Sequence, residues 1–114
     1  NIPYTLGRLF SVYEAAQQAA NPGINTTIKD RYFNSACATP ALVFPTLLRL
    51  AQSHLGKIGG GAEVYYDKMI TELLGDVTQS YPARLSLQDQ GIFQLGYYHQ
   101  KQKLFTKKEE KDNG

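Results

Sequence analysis

The side chains that could do chemistry in this sequence are few, and most stand alone. Glu63 and Asp67 are one helical turn apart and could share a divalent cation, yet no third ligand recurs at helical spacing. A solvated acidic face accounts for them. The lone cysteine, Cys37, has no base beside it in sequence and no helix start ahead of it to stabilise a thiolate, so it reads as a small buried residue. His54 and His99 fall near the apolar sides of their segments, where a core or boundary imidazole is commoner than a ligand or general base. The run Gly56-Lys57-Ile58-Gly59-Gly60-Gly61 looks like a phosphate loop, but its lysine precedes the glycines and no Gly-Lys-Ser/Thr opens a helix. No serine stands in a nucleophile-elbow context. The expectation is a protein with no catalytic site, no cofactor and no resident metal.

The positive residues carry more information. Arg49, Gln52, Ser53 and Lys57 recur at a spacing that puts them on one side of a helix with Thr46, and no carboxylate interrupts that side. Such a face offers charge and neutral donors to a phosphate backbone and reads no bases. Arg8, Lys29, Arg31 and Lys101 project from other segments. Tyr98 points outward with Gln94 and Lys101, where a ring beside a cation can stack on a base or close an interface. The formal charge of +2 is too small to announce a nucleic-acid binder, so the arrangement of charge has to decide. A basic helix face is most often only solvated, and these residues by themselves do not displace that reading.

Positioning those side chains requires helices. Projected at about 100° per residue, the chain gives one apolar stripe per segment, the pattern of an all-α, single-domain bundle of about five helices. Tyr4 to Ala20 turns Leu6, Leu9, Phe10, Tyr13, Ala16 and Ala20 to one side and leaves Arg8, Ser11, Glu14 and Gln18 outside. Asn21-Pro22-Gly23 stops it, because proline biases the preceding residue out of the helical region and glycine tolerates a left-handed backbone. Thr27, with Asp30 following, approximates a capping box for a helix to Ala36 with Ile28, Tyr32, Phe33 and Ala36 inward. Lys29 falls on the middle of that stripe and must snorkel or find a partner.

A third helix follows Thr39-Pro40, is kinked or restarted at Pro45, and runs to about Lys57 with Leu47, Leu48, Leu50, Ala51, His54, Leu55 and Ile58 inward. The glycine run ends it. The fourth, Ala62 to about Gln79, buries Tyr66, Met69, Ile70, Leu73, Leu74 and Val77, and its outer face of Asp67, Lys68, Glu72 and Asp76 is net acidic. Ser86 caps a fifth helix with Ile92, Phe93, Gly96, Tyr97 and Leu104 inward.

A chain of 114 residues makes one domain, large enough to bury roughly two thirds of its unfolded surface. Residues 1–105 form the bundle and 106–114 a polar, solvated and frayed tail. The lack of an initiator methionine is consistent with the ordered part of a longer product. One cysteine excludes an internal disulfide and fits a reducing cytoplasm. No leader and no apolar run near the roughly 20 residues of a membrane span occur, so no membrane is expected and the Asn25-Thr26-Thr27 sequon reads as chance.

Three stretches, "NPGINTTIKDRYFNSACATP", "VFPTLLRLAQSHL" and "LSLQDQGIFQLGYYHQKQ", resemble in order and spacing the C-terminal region of the large subunit of type I-C CRISPR Cascade. That region is also made separately in the family, by internal translation initiation, as the small subunit of the complex. The resemblance runs from about Tyr4 to Phe105. It implies an all-helical small subunit, present in more than one copy, packed against backbone filament subunits, the large subunit and further copies of itself. It also implies a surface that lines the path of the displaced strand of CRISPR RNA-guided target DNA. The family's large subunit reads the protospacer-adjacent motif through an N-terminal portion that nothing here matches, so that role is not carried over. Neither the glycine run nor the residues after Phe105 offer a motif to compare.

Lys29 and Arg31 lie inside the most recognisable motif, at a corner of the bundle, where they would meet nucleic acid or a neighbouring subunit, with Asp30 as a structural counter-charge. The alternative function is a purely structural subunit that bridges protein neighbours through Tyr65, Tyr81 and Tyr98, its cations forming a rim. The two differ in salt response, since phosphate contacts weaken steeply with salt and an apolar interface does not. A helix-turn-helix regulator is disfavoured because no suitably short inter-helix turn is evident.

If Gly23 supplies the left-handed residue of the Asn21-Pro22-Gly23 turn, Gly23→Val costs on the order of 1 kcal/mol or more. A thermal melt of the variant is expected to show a clearly lower midpoint, and an overlay with the parent curve would refute the turn.

Overall fold

Asn1 caps the first helix, α1 (Ile2–Ala20), by accepting from the Tyr4 N–H at 3.1 Å, and Pro3 occupies the first turn, where its missing N–H is harmless. The computed structural model describes residues 1–77 and 80–113, the side chains of 109–113 excepted. Four more helices follow: α2 (Ile28–Ala38), α3 (Pro40–Ile58), α4 (Gly60–Gly75) and α5 (Leu87–Asn113). Among the described residues there is no strand, so the architecture is the all-α bundle that the apolar stripes require. α1 is its centre, in contact with every other helix.

The turn after α1 has the geometry its residues dictate. The Ile24 N–H returns to the Asn21 carbonyl at 3.2 Å, and Gly23 sits at φ +83° after Pro22, the arrangement of a type II turn. Thr27 then caps α2. Its N–H and hydroxyl both reach Asp30 Oδ2, at 2.9 and 3.3 Å, so Asp30 serves as the capping acceptor. A second cap comes from α1, where Gln17 Oε1 accepts the Ile28 N–H at 2.8 Å.

Only Thr39 separates α2 from α3. The free backbone groups at that junction are satisfied from residues 82 and 85: Ala41 N–H donates to the Pro82 carbonyl and Leu85 N–H to the Ala38 carbonyl, each at 3.0 Å. Tyr81 lies here too, stacked on Phe44 with centroids 5.4 Å apart. It therefore packs against the core and does not serve as the outward anchor expected of it.

α3 continues through Pro45 without restarting, and Gly59 caps both the end of α3 and the start of α4. α4 ends at Gly75, short of the expected Gln79, and Val77 is no longer helical. Thr78 and Gln79 lie outside the described residues. α5 begins behind Ser86, whose Oγ accepts the Asp89 N–H at 3.1 Å, and residues 106–113 continue it as helix.

The core is an aromatic cluster drawn from four helices. Phe10 of α1 meets Phe33 of α2 at 5.3 Å and Phe93 and Tyr97 of α5 at 6.2 and 5.9 Å, all edge to face, and Phe93 reaches Phe44 of α3 at 6.3 Å. This cluster needs α1 and α5 to lie almost in backbone contact. A Cβ on Gly7 would stand 1.9 Å from the Phe93 carbonyl oxygen, and one on Gly96 would stand 2.1 Å from that of Tyr4. Both are backbone collisions that no rotamer change relieves.

The same approach corrects the outer face expected of α1. Ser11 and Glu14 are buried, and Arg8 is half-buried, because α1 is enclosed by helices on several sides where the stripe allowed for one. Gln18, past the close contact, is exposed as expected.

Gly7→Ala and Gly96→Ala are expected to destabilise by roughly 1–3 kcal/mol or more through overpacking. Gly91→Ala, on the same helix with open space around it, is expected to stabilise by up to about 1 kcal/mol through helix propensity. Thermal melts of the three variants check the contrast, and equal effects at Gly91 and Gly96 would disprove the close approach.

Candidate nucleic-acid interface

Lys29 extends from the apolar stripe of α2 and solves its position through aromatic rings. Its ammonium lies 5.5 Å from the ring centroid of Phe33, 5.2 Å from that of Tyr97 and 5.3 Å from that of Tyr98, and 3.4 Å from the Tyr98 hydroxyl. Ring quadrupoles attract the cation in a site where the side chain is half-buried, so its head is held among the rings.

Lys101 also approaches Tyr97, with its ammonium 5.5 Å from the ring, 3.2 Å from the hydroxyl and 3.7 Å from Glu14. Glu14 is 4% exposed and accepts the Tyr97 hydroxyl proton. A buried carboxylate is tolerable only when paired and hydrogen-bonded, and here one phenol and one ammonium do both. Burial, reinforced by the hydrogen bond to Glu14, holds the Tyr97 phenol far above the ordinary tyrosine range. Burial likewise raises the Tyr13 phenol, with a smaller contribution from nearby Tyr81.

Lys29, Tyr98 and Lys101 thus form one cluster across α2 and α5. Arg31 is exposed one residue beyond Asp30, with its guanidinium 5.6 Å from the Tyr32 ring.

The face of α3 is a separate feature. Arg49, Gln52, Ser53 and Lys57 are all exposed on it, and Thr46 accepts from Arg49 at 3.2 Å. Lys57 also donates to Asn21 Oδ1, which ties the end of α3 to the turn after α1. Arg8 belongs to neither group. Its Nε donates to Gln100 at 2.9 Å, and it lines a cleft with Glu72 and Asp76 of α4, so it faces acidic residues.

Cys37 is buried, and burial pushes its thiol up, away from the reactive thiolate. His54 is half-buried in α3, its Nδ1 without a partner among the described residues, and burial holds its imidazole below the ordinary value. His99 is not on an apolar side. It is exposed on α5, where its Nδ1 lies 2.6 Å from the Tyr4 hydroxyl. Among the described residues no group of three or more His, Cys, Asp or Glu is placed to hold a metal ion, and no helix is long and apolar enough to cross a membrane.

Glu14, Tyr97 and Phe105 belong to the cluster or its edge and were not singled out from the sequence. Glu14 was legible only as one more polar residue on an outer face, since nothing local signals that another helix covers it.

The family model for CRISPR-associated protein (Cas_Csd1) matches residues 1–105, nearly the whole chain, and the chain belongs to that family. Among curated proteins no match was found.

The buried phenols give the fold an alkaline limit. In the unfolded chain they titrate near 10, in the fold above it, so above pH about 10 the unfolded state has released protons that the native state retains. Stability is therefore full below pH about 10 and falls as pH rises beyond it. Tyr97→Phe removes one such group. It is expected to lower stability at pH 7 by roughly 1–3 kcal/mol, because Glu14 loses its buried donor, and to make the alkaline decline shallower. Urea unfolding across that pH range checks both effects.

Proposed function

We propose that this chain acts without catalysis as a small subunit of a type I-C Cascade, holding the displaced strand of RNA-guided target DNA through its phosphates. The observation that carries the reading is the face of α3, where Arg49, Gln52, Ser53 and Lys57 are exposed together with no carboxylate among them. Arg49 and Lys57 are eight residues apart, about 12 Å along the axis, a span that suits successive phosphate contacts on one strand. Membership of a CRISPR-associated family supplies the context in which such a strand exists. The Lys29, Arg31 and Lys101 cations of α2 and α5 add to the same sequence-independent attraction. The buried, unactivated Cys37 supports a role without covalent chemistry.

Backbone filament subunits, the large subunit and further copies of the chain are the protein partners in this reading, and the cytoplasm is where it works. The bridging role has support of its own in Leu42, Val64 and Leu87, which are largely exposed, Leu42 on the basic side of α3 itself, one turn before Thr46.

The test is Arg49→Glu combined with Lys57→Glu in the assembled complex. Assembly is expected to survive and target binding to weaken. The log–log salt slope should become shallower by about 1.4, two contacts at roughly 0.7 each on a single strand. An unchanged slope in a complex that assembles and binds would mean that the face is only solvated.

A further inference from the structure

We infer that α5 carries a base-stacking site for single-stranded nucleic acid, formed by Tyr98 and Phe105 with Lys101 between them. The inference rests on the strand-holding role proposed above and adds that bases, as well as phosphates, are held. Tyr98 is 51% and Phe105 61% exposed, far more than rings of a packed helix face. They are two helical turns apart, about 10 Å along the axis, on the same side of α5. With Lys101 and Gln102 they line an open groove of about 350 Å³.

Charge argues for the kind of ligand. From Gln90 to Lys108 the sequence of α5 contains no carboxylate, while Lys101, Lys103, Lys107 and Lys108 are all exposed. Aromatic rings alternating with cations along one helix match a strand that presents flat π faces and phosphates in alternation.

Order argues for it as well. The Lys29 ammonium lies 5.3 Å from the Tyr98 centroid and 3.4 Å from its hydroxyl, and Tyr97 packs edge-on against the ring at 4.9 Å. Tyr98 is thus held before any ligand arrives, which lowers the entropy lost on binding. Lys101 is held too, between the Tyr97 hydroxyl and Glu14, with half of its side chain still exposed. Each stacked base then contributes without sequence preference, because every base has a π face.

The experiment compares the full chain's affinity for oligothymidylate with that for an abasic oligonucleotide of the same length and charge. Thymidylate is expected to bind tighter by roughly five- to a hundredfold per engaged ring. Tyr98→Ala with Phe105→Ala should abolish the preference while leaving the salt slope unchanged, since no phosphate contact is removed. Phe105 is largely and Tyr98 half exposed, so the variant should stay folded with the parent's helicity, which circular dichroism checks. Because the chain has no tryptophan, Tyr98→Trp gives a lone reporter, whose emission should be quenched by thymidylate and not by the abasic strand.

Equal, salt-dependent binding of both oligonucleotides would overturn the stacking site and leave the phosphate reading standing. Binding of neither would overturn both. A double variant that keeps the thymidylate preference but no longer joins the assembled complex would show that the groove takes a protein neighbour, again overturning the site.

Discussion

The structure depends on the backbone contact between α1 and α5, made possible because Gly7 and Gly96 have no side chains. With the two helices this close, Phe93 and Tyr97 reach past α1 into a cluster with Phe10, Phe33 and Phe44. Rings of this size dominate the apolar area that a small bundle can bury. Moving the helices apart by a methyl group would open gaps throughout that cluster, since interiors are close-packed and relax little. The closeness also encloses Glu14, which must then be satisfied internally. Tyr97 and Lys101 meet that demand from the helix that created it.

The candidate surface follows from the same contact. Tyr97 has one edge committed to the core and one to Glu14, and the ring next to it, Tyr98, is left facing outward. Lys29 arrives from α2 and fills the space among Phe33, Tyr97 and Tyr98. Core, half-buried ion pair and outward aromatic–cation cluster are therefore successive layers of one construction. The α3 face is different in kind. Its cations are fixed by little beyond the helix itself, apart from the Thr46 and Asn21 contacts, and suit a sequence-independent partner that varies in position.

These two kinds of surface divide the proposed work. In the proposed role the exposed cations on α3 would follow phosphates, while the rings on α5 would offer flat surfaces to bases. In that role neither would read sequence, as suits a subunit of an RNA-guided complex, where pairing with the guide does the reading. Arg8, hydrogen-bonded to Gln100 of α5, instead lines a cleft with Glu72 and Asp76 of α4.

The local code was legible in the sequence to a large extent. Pro22-Gly23, the Thr27–Asp30 box and Ser86 are effects of one or a few neighbouring residues, and the structure places each where its chemistry predicts. The apolar stripes likewise determine that the chain is a helical bundle, and Arg49, Gln52, Ser53 and Lys57 of α3 are exposed as their spacing predicts. What the sequence could not decide is which helices cover which. Ser11, Glu14 and Arg8 read as outward because one stripe per helix assumes one neighbour, whereas α1 has several. Tyr81 reads as a free aromatic anchor because its partner, Phe44, is distant in sequence. The partner of Lys29 was demanded by its position in the stripe, but only the packing of α2 against α5 supplied it. Propensity and capping act within a few residues and are written in the residues themselves. Helix-to-helix distance is set by side-chain volume summed over remote segments, and here that sum turns on two glycines, each set against the backbone of the other helix, which no local pattern announces.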